Sequence, residues 1–204
     1  MFGESLYSRS IHPHHSLYMT IIMHPFIQQI VSLFDAQGSQ TYGEDINQIE
    51  HAVQCAQLAI IAGEPSELVV SALLHDIGHL MAATDIAFGN YKHDLIGAEF
   101  LAPYFSKEVT EPIRLHAQAK RYLCAVEEGY LAGLSAASVD SLHNQGGLMS
   151  ASEQQSFLQD PFAQAAIKLR RWDDEGKVQE LSKNGIRHYL PYLEAAILKV
   201  TIPA

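Results

Sequence analysis

The chain has 204 residues, a formal net charge of -10, 48% hydrophobic and 18% charged residues, and 2 cysteines. That length gives room for one well-buried domain and little more, and the acidic balance argues against nucleic-acid and anionic-membrane partners, which need a basic face. No stretch approaches the roughly 18 apolar residues of a membrane span and no signal-peptide pattern opens the chain, so the sequence reads as cytoplasmic, with Cys55 and Cys124 as reduced, buried thiols.

Residues 1–22 carry His12, Pro13, His14 and His15 without periodicity and read as an extension preceding a domain over 23–204. Pro25 opens a first helix whose Ile27, Ile30, Val31 and Phe34 share one face. Thr41-Tyr42-Gly43-Glu44 has the form of a capping box leading into Ile46, Ile49, Val53, Ala56 and Ile60. On that register Glu44, Asn47 and His51 share a more polar face. Pro65 opens a third, deeply apolar helix through Leu68, Val69, Ala72 and Leu73.

This helix ends in Leu74-His75-Asp76-Ile77-Gly78-His79, a candidate metal site. A carboxylate there has two oxygens and can bridge two cations, and Gly78 is expected to turn the backbone so that His79 comes over the pocket. A His-Asp pair alone is also compatible with a simple hydrogen bond, so other ligands must decide. After a loop over 82–92, His93-Asp94 starts another helix, with His93 the ligand candidate and Asp94 complementing the helix dipole.

Ser106 caps a helix expected to run to about Ala119, with Pro112 as a kink. His116 and Lys120 look the same way from it at i, i+4, although exposure is the usual fate of a lysine. Ser135 begins a short helix ending at Gln145-Gly146-Gly147, Ser150 to Glu153 is a second capping box, and Asp160-Pro161 starts a helix reaching Arg170-Arg171-Trp172-Asp173. A final helix is expected over about Ile186 to Val200. With almost no strand alternation, the fold is all-α, a single helical bundle.

His51, His75, Asp76, His93, His116 and Asp173 are the collected ligand candidates. Nitrogen and oxygen donors without thiolate point to iron or manganese ahead of zinc. The order of His51, His75-Asp76 and Asp173 resembles the HD-domain superfamily, and His93 and His116 resemble its dinuclear branch. The segments Tyr42 to His51, Leu74 to His79, Ala119 to Leu123, Gln145 to Gly147 and Arg170 to Asp173 are similar to the 2-amino-1-hydroxyethylphosphonate dioxygenase (PhnZ) family of mixed-valent di-iron oxygenases.

The resemblance implies one iron on His51, His75, Asp76 and Asp173, a second on His93, His116 and Asp76, and dioxygen as co-substrate. It implies a small organophosphonate held by Glu44, His79, Lys120, Ser135, Gln145 and Arg170, with Asp76, His79 and Lys120 catalytic and Glu44 facing a cationic end. Thr41 stands where the family's pattern has a gating tyrosine. Two rival readings use the same ligands: a metal-dependent phosphohydrolase acting on a phosphate ester, and a degenerate domain that only binds an anionic metabolite.

Overall fold

A computed structural model describes residues 23–41, 45–81, 92–179 and 184–198. Among these residues there are ten α-helices and, in place of a sheet, only an isolated antiparallel bridge between Phe105 and Ile197. The all-α expectation is met.

Helix α1 (Pro25–Gln37) starts at the proline, with the His24 side chain accepting from the Phe26 N–H, and buries Ile27, Ile30, Val31 and Phe34. Helix α2 (Gln48–Ile61) is capped by Asn47, whose side chain accepts from the Glu50 N–H at 2.9 Å. The expected cap at Thr41 is therefore corrected: the first helical turn begins after Asn47, and Asp45 and Ile46 are not helical. Asn47 with an acidic residue at the third helical position meets the capping requirement closer to the apolar stripe.

Helix α3 (Ser66–Leu74) follows Pro65 and has no exposed side, with Leu68 to Leu74 all buried. His75 and Asp76 form the joint to the short α4 (Ile77–Met81), and α5 (His93–Leu101) starts on the second His-Asp pair. Gly78 is not a turn glycine. It lies within α4, and a Cβ there would meet the His93 carbonyl oxygen at 2.1 Å, so its missing side chain lets α4 and α5 touch through their backbones.

Helix α6 (Lys107–Val126) passes through Pro112 and runs a further two turns beyond the expected end. Two features allow this. The Ser71 hydroxyl from α3 lies 2.8 Å from the Val109 carbonyl and 3.4 Å from that of Glu108, the carbonyl whose helical donor Pro112 lacks. The buried stripe of Ile113, Leu115, Ala119 and Leu123 then continues without a break. This 20-residue helix is the axis against which α3, α5 and α9 pack.

Helices α7 (Ala136–Asn144) and α8 (Ala151–Gln159) cover one side of α6, and the capping box at Ser150 and Glu153 forms with both reciprocal bonds. Gly146 and Gly147 take φ of +106° and +68° after α7, as paired glycines at a helix end require. Helix α9 (Ala163–Glu175) begins two residues after Pro161, because Asp160 caps the Phe162 N–H instead of leading directly into helix. The C-terminal expectation is also corrected: a 3-10 turn (Ile186–Tyr189) precedes α10 (Leu190–Ala196), since Pro191 is tolerated only in the first turn.

The main core joins α1, α2, α3, α5, α6, α9 and α10, and a smaller cluster around Leu115, Met149 and Phe157 lies between α6, α8 and α9. Tyr189 is fully buried and donates its hydroxyl to the Val53 carbonyl at 2.8 Å. No helix among the described residues is long and apolar enough to cross a membrane.

Candidate metal centre and anion pocket

Six side chains from α2, the α3–α4 joint, α5, α6 and α9 converge on one interior point. His51, His75, His93, His116 and Asp173 are all buried, whereas the Asp76 side chain keeps 18% of its surface accessible. The two Asp76 oxygens face different partners. Oδ2 lies 3.4 Å from His75 Nε2 and 3.7 Å from His51 Nε2, while Oδ1 lies 3.3 Å from His93 Nε2 and 3.8 Å from His116 Nε2. Asp173 Oδ1 joins the first group, 3.3 Å from His51 Nε2 and 3.8 Å from His75 Nε2.

The imidazoles are oriented by backbone carbonyls. Nδ1 of His51 faces the Gly176 oxygen at 2.8 Å, Nδ1 of His75 that of Ala72 at 2.9 Å, and Nδ1 of His116 that of Ile113 at 2.7 Å. A carbonyl only accepts, so each Nδ1 carries the proton and each Nε2 turns a lone pair inward, the tautomer of a metal ligand. His51 and His75 then oppose Nε2 lone pairs at 3.2 Å, which is repulsive unless a cation or shared proton lies between. The donor set fits two metal ions, one beside each Asp76 oxygen.

Protons must do that work when metal is absent. Burial opposes a charged His75, but the Asp76 carboxylate and the hydrogen bond to Asp173 raise it to about 9. Burial likewise opposes the Asp76 charge, yet the His75, His93 and His79 imidazoles hold it well below the usual carboxylate range. A pH signature follows. A histidine raised from 6.5 to about 9 contributes stability that is full below 6.5 and lost as pH rises through 9, on the order of 3 kcal/mol. His116 is shifted the opposite way, chiefly by burial, so its linkage lies below 6.5, outside that window. Thermal unfolding in chelator should therefore show a midpoint falling between pH 6.5 and 9. The metal-loaded protein, whose His75 is already neutral, should lack this fall, while Lys120, lowered to about 8, adds a rise above pH 8 to both forms; parallel curves would count against two buried ligand clusters.

Beside the ligand candidates lies a pocket of cations and hydroxyls. Lys120 is 3% exposed, contrary to the usual fate of lysine, and donates to the Ser141 hydroxyl; burial, then Arg170, lower it to about 8. Arg170 donates to Asp173 Oδ2, leaving Oδ1 to the imidazoles, and also to Asp174, to Tyr130 Oη at 3.2 Å and to Ser138 Oγ at 3.4 Å. Lys177 Nζ reaches the same Ser138 oxygen at 3.3 Å.

His79 is half-buried and stacked on His93, with ring centroids 4.0 Å apart, and burial followed by the His93 charge lowers it to about 3. Ser135 caps α7, its hydroxyl accepting from the Ser138 N–H, and Gln145 is the C-cap of the same helix. Glu44 and Tyr42 lie outside the described residues, as does the His12 to His15 tract; Thr41 is described and exposed.

Several members of this site carry no sequence signal. Ser138, Ser141, Tyr130, Asp174 and Lys177 belong to no motif; the seating of α7 brings its two serines to Lys120, Arg170 and Lys177, and Arg170 on α9 draws in Tyr130 and Asp174. Cys55 could have been noticed one turn after His51 on α2. Its Sγ lies 3.8 Å from His51 Nδ1 and donates to the Trp172 carbonyl at 3.3 Å.

Comparison with known proteins places this geometry. Residues 48–144 match the HD domain family. Hydroxymethylphosphonate dioxygenase of Gimesia maris is 43% identical over 178 residues, covering 83% of this chain and 89% of that protein. The chain belongs to the PhnZ-like family of HD-domain proteins. A second member, [1-hydroxy-2-(trimethylamino)ethyl]phosphonate dioxygenase (glycine-betaine-forming) of Leisingera caerulea, is 37% identical and covers 85% of this chain and 91% of its own length. An uncharacterized mimivirus protein, L432, is 34% identical over 80% of this chain. In this PhnZ-like chain the HD match contains His51, His75, Asp76, His93, His116 and Lys120, while α9 supplies Asp173 and Arg170 from beyond it.

Proposed function

We propose that this protein is a di-iron dioxygenase that cleaves the C–P bond of a 1-hydroxyalkylphosphonate, releasing phosphate and a carboxylate. The observation that carries the reading is the bridging placement of Asp76 between two imidazole pairs, immediately beside a buried cation pocket. His51, His75, Asp76 and Asp173 would hold one iron, and His93, His116 and Asp76 the other. The iron pair, Fe(II)/Fe(III), would supply dioxygen binding and the oxidation of the substrate carbon.

The remaining roles belong to protein side chains. Lys120 and Arg170 offer charge-assisted donors to a phosphonate dianion inside a net-acidic protein, and Arg170 simultaneously steadies Asp173. Ser138 offers its hydroxyl to the same pocket, and Ser135 supports it through the α7 cap. Gln145 closes the end of that helix. His79, kept neutral by burial and the His93 charge, provides an uncharged imidazole next to Asp76 and His93 that can hydrogen-bond the substrate. Among the six ligand candidates Asp76 alone is half-buried, and His79 beside it is half-buried too, so substrate approaches the metal ligands from their side.

Glu44 selects the far end of the substrate. An acidic side chain there favours a cationic substituent, as in 2-amino-1-hydroxyethylphosphonate, giving glycine, or its trimethylammonio analogue, giving glycine betaine. Overall, one dioxygen is consumed per phosphate released, since R–CH(OH)–PO3H2 plus O2 balances to R–COOH plus H3PO4. Oxygen uptake and phosphate release should be measured on iron-loaded protein with each amine and with hydroxymethylphosphonate. Equal uptake and release with either amine is the expected result; phosphate released equally well under nitrogen would replace the oxygenase with a phosphohydrolase.

A further inference from the structure

We propose that Lys177 is a third cation of the phosphonate pocket, delivered by a backbone strap that follows α9; this rests on the phosphonate reading of the pocket. Residues 176–179 leave the helix end and run along α2, where every one of them is engaged. The Gly176 carbonyl takes the His51 Nδ1–H. Val178 exchanges two bonds with the Gln54 side chain, Gln54 Nε2 donating to its carbonyl at 2.7 Å and its N–H donating to Gln54 Oε1 at 3.1 Å. Gln179 Nε2 donates to the Asp45 carbonyl at 3.0 Å.

Four consecutive residues are thereby held, which costs conformational entropy that a solvated connection would not incur. The strap determines where the Lys177 side chain goes. Lys177 is half-buried, and its Nζ lies 3.3 Å from Ser138 Oγ, the oxygen that Arg170 Nη2 approaches from the other side at 3.4 Å. Its charge also acts on Lys120 and on Asp174. Three cations thus surround two serine hydroxyls, while Asp173 and Asp174 are both engaged by Arg170. An anion seated among these groups would accept charge-assisted hydrogen bonds, which offset the mutual repulsion of like charges.

The first residue of the strap orients the ligand candidate His51, its second reaches the Ser138 hydroxyl, and its fourth holds the Asp45 carbonyl. Lys177 belongs to the binding of the phosphonate and lies outside the ligand set, so its loss weakens affinity and leaves turnover at saturation.

The test uses the full-length, metal-loaded protein carrying Lys177→Met, Lys177→Gln or Lys177→Arg, with inorganic phosphate as the direct probe. Phosphate should raise the unfolding midpoint of the wild type. In the Met and Gln variants the concentration giving half that shift should rise about tenfold, as loss of a charge-assisted bond predicts, and Arg should restore it to within about threefold. With 2-amino-1-hydroxyethylphosphonate, KM should rise by the same factor and kcat stay within about threefold. Phosphate affinity within twofold of wild type in both the Met and Gln variants overturns the proposal, as does a fall confined to kcat. If the wild type turns over no phosphonate while the Met variant still loses phosphate affinity, the oxygenase reading fails and the Lys177 assignment stands.

Discussion

Asp76→Asn is expected to remove both metal ions together and to lower turnover by at least about a thousandfold. The amide keeps the volume and can still accept hydrogen bonds, so the helices around it need not move. What disappears is the charge that two imidazole pairs share, one through each oxygen. An amide can present only one oxygen, and its NH2 group would point at lone pairs or metal on the other side. Loss of several kcal/mol of charge stabilisation corresponds to a rate loss of that order. Metal analysis and oxygen uptake on the same preparation check it. The variant also carries a second signature, because Asp76 is the chief support of the high His75 pKa. In chelator, the loss of stability should move from near pH 9 towards neutrality. A variant that kept one metal at full occupancy would show that Asp76 does not bridge.

Gly78→Ala tests the same centre through the backbone. An added methyl would lie 2.1 Å from the His93 carbonyl oxygen, 2.8 Å from its carbon and 2.9 Å from its Cα. None of these atoms belongs to a flexible side chain, so the start of α5 must move away from α4. His93 is the first residue of α5 and moves with it. The expected cost is about 3 kcal/mol of stability, seen as a midpoint lowered by roughly 6–12 °C in a chain of this size, with the metal beside His93 and His116 lost first. Gly97→Ala, facing the same contact from α5, would meet Gly78 N at 3.2 Å and should be much milder. Full occupancy of both metals and an unchanged midpoint in Gly78→Ala would mean that the close approach is not required.

The contrast between Ser135 and Ser138 shows where sequence reading stops. Ser135 stands out in the chain because it opens a helix, and it does cap α7. Ser138, three residues on, looks like any helical serine, yet its hydroxyl meets Arg170 and Lys177. Lys120 makes the same point: its spacing from His116 predicts that the two share a face, but its burial depends on what α7 and α9 place over that face. Gly78 was legible as a residue that must lack a side chain, although the reason was the approach of α5 and not a turn.

By itself the sequence determined the all-α class, most helix positions and the residue types offered to metal. Those features follow from local rules: the 3.6-residue period of apolar side chains, capping residues within three positions of a helix start, and proline at helix beginnings. It did not determine the cap of α2, the full length of α6 or the break before α10, where a competing cap or a neighbouring hydroxyl altered the local balance. Only the tertiary structure decided that His51 meets Asp173 and the Gly176 carbonyl, that Asp76 divides its oxygens between two imidazole pairs, and that Lys177 meets Ser138. Those contacts join residues far apart in the chain, and their distances are set by how α2, α3, α5, α6 and α9 pack against one another, a quantity that no window of sequence contains.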